Sequence, residues 1–489
     1  MHHRLTKLLI VITILSFFAI NESYGVNWPL RISASGKYLE DQSGVPFLFV
    51  GDTAWSLAAE LSPAQVVTYL DDRQAKGITA IIVNAIEHAF ATNAPNNYNN
   101  DPPFTNGQSD WSARNEAYWS HVDYILNQAK SRGILVLLYP AYIGYLCGDQ
   151  GWCAHMQSQT NAVMTNYGQW LGNRYKNQGN IIWVHGGDAN ANDYANAYNR
   201  VAAIGNGIKA NDTNQLHAAS SAPERSGMDD YNALIDINTV YTYGYPDTRV
   251  QTEYQRSGAK PVYFYEGYYE NEHSSTIGTW QSQSMIPHLG GALVGQMFGN
   301  CPTWNFGAPS ASGFCDVART WTISLSLAGS VSQSNIGKLM RSRAWARLVP
   351  DYSNMVVTSS KGTAMNYHAT ARETNGETVM VWCPNTNQVT VDMTKISGSQ
   401  AKCWWWNPDD NTSVLIGTYN TSGTRNFNPS SARKVLVLDN AASNLSAPGT
   451  TEYYKVRRVD VDKKIKEFKT GRATEQEVVD LILHYFPGI

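Results

Sequence analysis

The chain is 489 residues long with a formal net charge of -3 and a pI near 6.4, so it can build one large domain and a smaller one but offers no basic face for nucleic acid. Fifteen Trp and 28 Tyr supply flat faces that fill cores and also stack on the apolar faces of sugar rings. Most of these aromatics are expected in the core.

Residues 1–25 read as a secretory signal peptide. Basic Met1-His-His-Arg-Leu-Thr-Lys7 precedes an apolar run from Leu8 to Ile20, and small Ser23 and Gly25 follow at cleavage spacing. The run is shorter than the ~20 residues a bilayer span requires. The expectation is a secreted or cell-surface protein with no membrane span after cleavage near Gly25. Between Leu30 and Phe47 two turns, Ser35-Gly36 and Ser43-Gly44, predict a hairpin closing one end of a larger body.

A rhythm of apolar strand, loop and amphipathic helix then begins. The predicted strands are Phe47 to Val50, Thr79 to Asn84, Leu135 to Tyr139, Ile181 to His185, Leu216 to Ala219, Thr239 to Tyr243, Val262 to Tyr265 and Leu293 to Met297. Ser62 as N-cap, Pro63 in the first turn and Gly77 as a stop frame one helix. From Glu116 to Arg132, Tyr118, Val122, Ile125, Leu126 and Ala129 fall on one face of another, ended by Gly133. This order predicts an α/β (β/α)8 TIM barrel over residues 26–350, closed by helices at Asp316 to Ala328 and Ile336 to Leu348. A doubly wound sheet is disfavoured because Val50-Gly-Asp-Thr-Ala-Trp55 is no phosphate loop.

Residues 351–440 switch to short alternating segments: Thr363 to His368, Thr378 to Trp382, Val389 to Asp392, Lys402 to Trp406, Thr424 to Phe427 and Lys434 to Leu438. That pattern reads as a small antiparallel β-sandwich. Alternation puts Trp405 opposite Trp404 and Trp406, which favours core packing over a sugar platform. Residues 441–452 read as a linker, and 453–489 as a helical tail with a capping box at Thr474-Glu-Gln-Glu477. The tail carries eight basic residues against three acidic between Lys455 and Ala473. It is read as a solvated helix pair or, alternatively, as an attachment module for a partner or cell surface.

The six cysteines form three neighbouring pairs: Cys147 with Cys153, Cys301 with Cys315, and Cys383 with Cys403. In an oxidising compartment three local disulfides are the simplest reading, although the count alone leaves the connectivity open. A zinc site would need Cys-x-x-Cys spacing or a His cluster, and neither occurs. No metal or cofactor is expected.

In a barrel, chemistry belongs at the carboxyl ends of the strands. Two acids stand there: Asp188, after Gly186 and Gly187 on the fourth strand, and Glu266, before Gly267 on the seventh. A strand-end Asp taken singly more often caps a helix. Paired with an acid across the rim, it suits hydrolysis of a glycosidic bond. Tyr263, Tyr265, Tyr268 and Tyr269 surround Glu266 and favour its ionised form as nucleophile, leaving Asp188 as general acid and base. Asp52, Trp55, Asn84, His185, Tyr243, Tyr269, Glu270 and Trp304 are the candidate substrate-binding residues, and Glu270 and Glu272, in the loop past Gly267, are expected to make substrate or helix contacts instead of doing the chemistry. The long loop from Ala89 to Ser112 is read as a wall or lid. A non-catalytic carbohydrate- or matrix-binding surface protein is the alternative reading.

Three segments, Gly44 to Trp55 with its Gly-Asp-Thr-Ala-Trp, Asn180 to Asp188 and Lys260 to Glu270, together resemble the apiosidase-like glycoside hydrolases, family 140, of the DUF4038 type. The resemblance implies a barrel hydrolase acting on plant cell-wall polysaccharide, in the characterised case on apiose-linked pectin side chains. It also places the acid/base on Asp188 and the nucleophile on Glu266. His185 before Gly-Gly-Asp and the bulky Tyr263-Phe-Tyr-Glu266 depart from the family pattern. Met355 to Asp439, with Trp406-Asn-Pro-Asp409 and Lys434-Val-Leu-Val-Leu438, is similar to the collagen-binding-type sandwich appended to such barrels. The terminal helices resemble a dockerin only at Asp460-Val-Asp462. The other acidic ligands are missing, so no calcium is expected there.

Overall fold

The computed structural model of the chain describes residues 25–190, 193–308, 315, 320–470 and 472–485. The signal segment expected before Gly25 lies outside the described residues. Both Ser-Gly turns form, and they reverse the chain twice. The predicted hairpin is therefore a three-stranded antiparallel meander: β1 (Arg31–Ile32), β2 (Leu39–Glu40) and β3 (Pro46–Phe47). Gly36 and Gly44 take φ of +70° and +78°, and the Asp41 carboxylate holds the second turn by accepting from Ser43 N at 2.8 Å and Val45 N at 3.0 Å. Leu30, Leu39 and Phe47 point from this meander into the amino end of the barrel and plug it.

The barrel is built from β4 (Phe49–Thr53), β5 (Ala80–Asn84), β6 (Leu135–Tyr139), β7 (Ile181–Gly186), β8 (His217–Ser220), β10 (Asn238–Tyr241), β11 (Val262–Glu266) and β12 (Gly295–Phe298). Short β9 (Arg225–Ser226) runs antiparallel beside β10. Strict alternation sorts the side chains. Leu135, Leu137 and Tyr139 face the barrel interior with Ala80, Ile82 and Val184, while Val136 and Leu138 face the helices. Direct ladder bonds run from β8 round through β4 to β10 and leave one seam. That seam is stitched locally. Thr239 Oγ1 donates to Ala219 O at 2.6 Å, and the Asp236 and Ile237 amides donate to His217 O at 2.7 and 3.1 Å.

Helix α1 (Pro63–Ala75) starts at the Ser62 capping box with Gln65 and buries Val66, Tyr69, Leu70 and Arg73. Helix α2 (Glu116–Ser131) starts at Asn115, whose side chain accepts from Ala117 N, and buries the five residues predicted for its inner face. α3 (Asn161–Tyr175), α4 (Ala195–Asn211), α5 (Pro246–Gln255) and α6 (Ile277–Leu289) continue the outer layer. The first predicted closing helix falls partly on residues outside those described, and its described part holds only one turn, Trp321–Ser324. The second, α7, spans Ala328–Arg341, earlier than predicted. Its amino end is satisfied from a distance, since Gly329 N donates to Glu270 Oε1 at 2.8 Å, and a local pattern cannot show such a partner.

The predicted helix end at Leu348 is instead β13 (Leu348–Pro350), the first strand of a six-stranded antiparallel sheet ordered β13, β14 (Thr370–Glu373), β15 (Thr378–Cys383), β20 (Lys434–Asn440), β17 (Gln400–Trp406) and β18 (Ser413–Asn420). β16 (Val389–Asp392) and β19 (Thr424–Phe427) pair separately. The segment predicted as a strand at Thr363 to His368 is a 3-10 turn, Ala364–Asn366. β18 escaped prediction because it is an edge strand, with Val414 and Leu415 exposed and no apolar alternation to read. Trp406 is buried, and Trp404 and Trp405 are half-buried. The sheet is fastened to the barrel by the buried Arg343 guanidinium, which donates to both Asp439 carboxylate oxygens at 2.9 and 2.7 Å. Helices α8 (Tyr453–Lys469) and α9 (Glu475–Tyr485) bury Val461, Ile465, Val478 and Ile482, and Tyr454 packs on Trp345.

Disulfides Cys147–Cys153 and Cys301–Cys315 are present, but the third expected bridge is not: Cys383 and Cys403 are buried free thiols. Cys383 lies opposite Lys434 and Cys403 opposite Leu438, on the two flanks of β20. Two strand spacings of ~4.8 Å separate them laterally, beyond the ~7 Å Cα limit for a bridge. Alkylating the native, non-reduced protein should therefore leave both thiols unmodified. Alkylation after unfolding without reductant should modify Cys383 and Cys403 alone, as read by peptide mass spectrometry.

Candidate active site

Asp188 and Glu266 reach the same place by different local devices. On β7, Gly186 (φ +85°) and Gly187 (φ +158°) draw the chain under the loop after β6. A Cβ on Gly186 would lie 2.5 Å from Ser220 O, and one on Gly187 would lie 2.8 Å from the Ile143 side chain. Only this bare turn lets Asp188 follow directly, and its carbonyl is held by Leu146 N at 3.0 Å.

On β11, alternation sends Tyr263 and Tyr265 inward and Phe264 outward, so Glu266 should also face outward. A β-bulge prevents this. Val240 pairs with Phe264 but Tyr241 pairs with Glu266, so one extra residue on β11 turns the carboxylate toward the mouth of the barrel.

Both acids line a cavity of about 600 Å³ at the carboxyl ends of the strands. Trp55, Asn84, Tyr243, Tyr269 and Trp304 line it too, as their sequence positions predicted. Tyrosines order the acids. The Tyr269 and Tyr265 hydroxyls favour the ionised form of Glu266, and Tyr269 accepts from Trp55 Nε1 at 2.9 Å. The Tyr139 hydroxyl lies 2.8 Å from that of Tyr265 and 2.7 Å from Ser220 Oγ, which holds the second tyrosine from behind. Asp188 Oδ2 accepts one longer bond, from Tyr241 at 3.4 Å. Asp188 Oδ1 and Asn84 Oδ1 are buried without a hydrogen-bond partner among the described residues, a costly state that a bound hydroxyl would relieve.

Burial pushes the Asp188 carboxyl up to about 7, against the lowering effect of Tyr241. Burial and the charge of Asp188 push Glu266 up as well, against the lowering effect of Tyr269 and Tyr265. Two acids that disfavour each other's charge in one cavity hold one proton between them near neutrality.

Three predicted binding residues lie elsewhere. Asp52 points outward from β4 and is buried against α1, accepting from Tyr69 at 2.8 Å and from Arg73 at 3.0 Å. His185 also faces outward, stacked on His217 with Nε2 2.8 Å from His217 Nδ1. The period-two rule that turns Val184 inward turns His185 away. Glu270 is buried on Asn300 Nδ2 at 2.5 Å and on the amino end of α7, where it joins the rim to the outer layer.

The sequence reading missed Phe90, Tyr145, Gln150 and His273 in the cavity wall; Glu272, expected to make substrate or helix contacts, lines the cavity. Tyr145 and Gln150 sit in the loop bridged by Cys147–Cys153, and Phe90 in the long loop after β5, so the cysteine spacing and loop length were the available signals. Among the described residues no group of three or more His, Cys, Asp or Glu is arranged to hold a metal, and no helix is long and apolar enough to cross a membrane.

The family model "Apiosidase-like, catalytic domain" matches residues 33–347, and "Putative collagen-binding domain of a collagenase" matches residues 349–439. No curated protein matches the chain. Among solved structures, the fold is similar to that of a glycoside hydrolase 21% identical, at a TM-score of 0.76 over 87% of this chain and 100% of the other. It is also similar to a glycoside hydrolase family 5 structure from Bacteroides vulgatus ATCC 8482, again 21% identical, at a TM-score of 0.77 over 88% of this chain and 98% of that one.

A carboxyl raised by folding contributes stability that is complete below its ordinary value of 3.8 and is lost as pH climbs to about 7. Asp188→Asn should therefore gain on the wild type across that window, with a Tm advantage at pH 8 of several degrees at roughly 2–4 °C per kcal/mol. A Tm difference that does not change between pH 4 and pH 8 would remove the buried-charge account.

Proposed function

The chain belongs to the apiosidase-like glycoside hydrolases, and from that premise we propose that it is an exported, retaining glycosidase acting on a plant cell-wall type polysaccharide, with Glu266 as nucleophile and Asp188 as general acid and base. The observation that carries this reading is the placement of two acids, from β7 and β11, in one aromatic cavity where their charges oppose each other.

As nucleophile Glu266 must carry the charge when the sugar is bound; the Tyr269 and Tyr265 hydroxyls favour that form, while burial and the charge of Asp188 disfavour it. The Glu266 carboxylate attacks the anomeric carbon while protonated Asp188 gives its proton to the leaving oxygen. Asp188, now ionised, then takes a proton from the water that releases the sugar from Glu266. Trp55 and Trp304 offer faces for the ring, and Asn84 Oδ1 an acceptor for one hydroxyl. Apiose-bearing pectin side chains are the first substrates to test, given the family. Export is supported by the two disulfides, which persist in oxidising compartments. The division into a catalytic unit (26–350), a sandwich (351–440), a linker (441–452) and a helical tail (453–489) belongs to the same reading.

Glu266→Gln and Asp188→Asn should stay folded yet lose hydrolysis by ~10³-fold or more on a panel of pectic and hemicellulosic oligosaccharides. NMR of the first product formed should show the anomeric configuration of the substrate. Wild-type activity in either variant would remove that residue from its role. Binding without turnover on the whole panel would favour a carbohydrate-binding surface protein.

A further inference from the structure

Glu87, in the loop after β5, is buried and stands behind the wall of the cavity without lining it. Donors meet its carboxylate from three places. Oε1 accepts from His88 N at 2.9 Å, and Oε2 accepts from Ser56 Oγ at 2.9 Å and from Asn84 Nδ2 at 3.2 Å. Burial pushes the Glu87 carboxyl up, against the lowering effect of the bonds from Asn84, Ser56, His88 and Phe90. Those donors favour the ionised form, which has no proton to give and can only accept.

Both side-chain partners belong to the walls of the site. Asn84 ends β5 and lines the cavity, and its N donates to Trp55 O at 2.9 Å. Ser56 follows Trp55, and its N donates to Trp304 O at 3.3 Å. Glu87 thereby ties Asn84 to the backbone that carries both indoles. The tie also decides which end of the Asn84 amide is free. Turned the other way round, Oδ1 would take the place of Nδ2 beside Oε2, oxygen against oxygen, and the buried pair would repel. With Nδ2 committed to Glu87, Oδ1 is left buried with no partner among the described residues. An acceptor in that state is costly, and here it belongs to a cavity wall where a ligand can relieve it.

We propose that Glu87 is a positioning residue: it turns the Asn84 amide so that its oxygen, as an acceptor, meets a hydroxyl of the bound sugar. The contact with sugar rests on the reading of the cavity as a glycosidase site. The orientation of the amide does not.

Glu87→Gln separates this role from a merely structural one. The His88 amide still needs an acceptor, so the introduced glutamine keeps its oxygen there and brings its NH2 to Asn84. The Asn84 amide then reverses and points its own NH2 into the cavity. Adding Asn84→Asp to Glu87→Gln restores the original polarity: the introduced aspartate accepts from the glutamine with one oxygen and presents the other, and the charge of the pair is unchanged.

The test is solvent exchange of the Asn84 side-chain amide, followed by NMR at pH 8 in free protein carrying nitrogen-15 in its asparagines, with the signal assigned by its absence in Asn84→Ser. In the wild type this NH2 should exchange about tenfold or more slowly than an exposed asparagine amide, and Glu87→Gln should erase that protection. Unprotected exchange in the wild type, or protection unchanged in Glu87→Gln, overturns the proposal. The first of these needs no variant of Glu87, so a poorly folded Glu87→Gln does not shield the idea. On any oligosaccharide the wild type cleaves, Glu87→Gln should raise KM about tenfold with a smaller change in kcat, and Asn84→Asp/Glu87→Gln should recover most of that loss. A double variant no better than Glu87→Gln likewise overturns the proposal. If no glycan is cleaved, the glycosidase reading falls, while the exchange measurement still decides what Glu87 does.

Discussion

Two carboxylates confined in one aromatic cavity cannot both carry charge without a large penalty, and much of the barrel rim is arranged to maintain that conflict. Burial alone would leave both acids protonated and inert. The tyrosine hydroxyls act against that burial, Tyr269 and Tyr265 at Glu266 and Tyr241 at Asp188. Two of these tyrosines are themselves held from behind, Tyr265 by Tyr139, which also reaches Ser220, and Tyr269 by Trp55.

The scaffold that holds this arrangement is fastened by buried ion pairs. Arg73 on Asp52 ties α1 to β4, and Arg343 on Asp439 ties the barrel to the six-stranded sheet. Both pairs are buried and multiply hydrogen-bonded, so their charges are compensated, unlike those in the cavity. Paired ions hold the frame, and opposed ions are kept for the mouth of the barrel. The seam between β8 and β10 is bridged by the Thr239 hydroxyl and the His217 carbonyl, and on its other side β10 pairs Tyr241 with Glu266.

What could be read in the sequence follows from the range of each signal. Apolar runs bounded by turn residues marked all eight parallel strands to within a few residues, and capping residues marked α1 and α2, because these signals are local. Asp188 and Glu266 were legible as strand-end acids, and they line the cavity together. The failures were ones of facing and distance. Asp52 and His185 are polar residues at strand ends, but the period of two sends them outward, and only applying it strictly would have shown this. Glu266 is the reverse case: alternation would have turned it outward, and a bulge set by the neighbouring strand turned it in. Cys383 and Cys403 looked like a pair by sequence spacing, yet a strand from much later in the chain lies between them. The helix start at Ala328 and the burial of Glu270 depend on each other across 59 residues, beyond any window-based pattern.

The loop after β6, cross-linked at Cys147–Cys153, separates two tasks that many sites merge. Its backbone braces Asp188 through Leu146 N, while its side chains Tyr145 and Gln150 form part of the wall. Because the bracing uses main-chain atoms, it tolerates almost any sequence that closes the same covalent ring. Exchange of the outward tips could therefore reshape the cavity wall while leaving the Asp188 backbone where it stands.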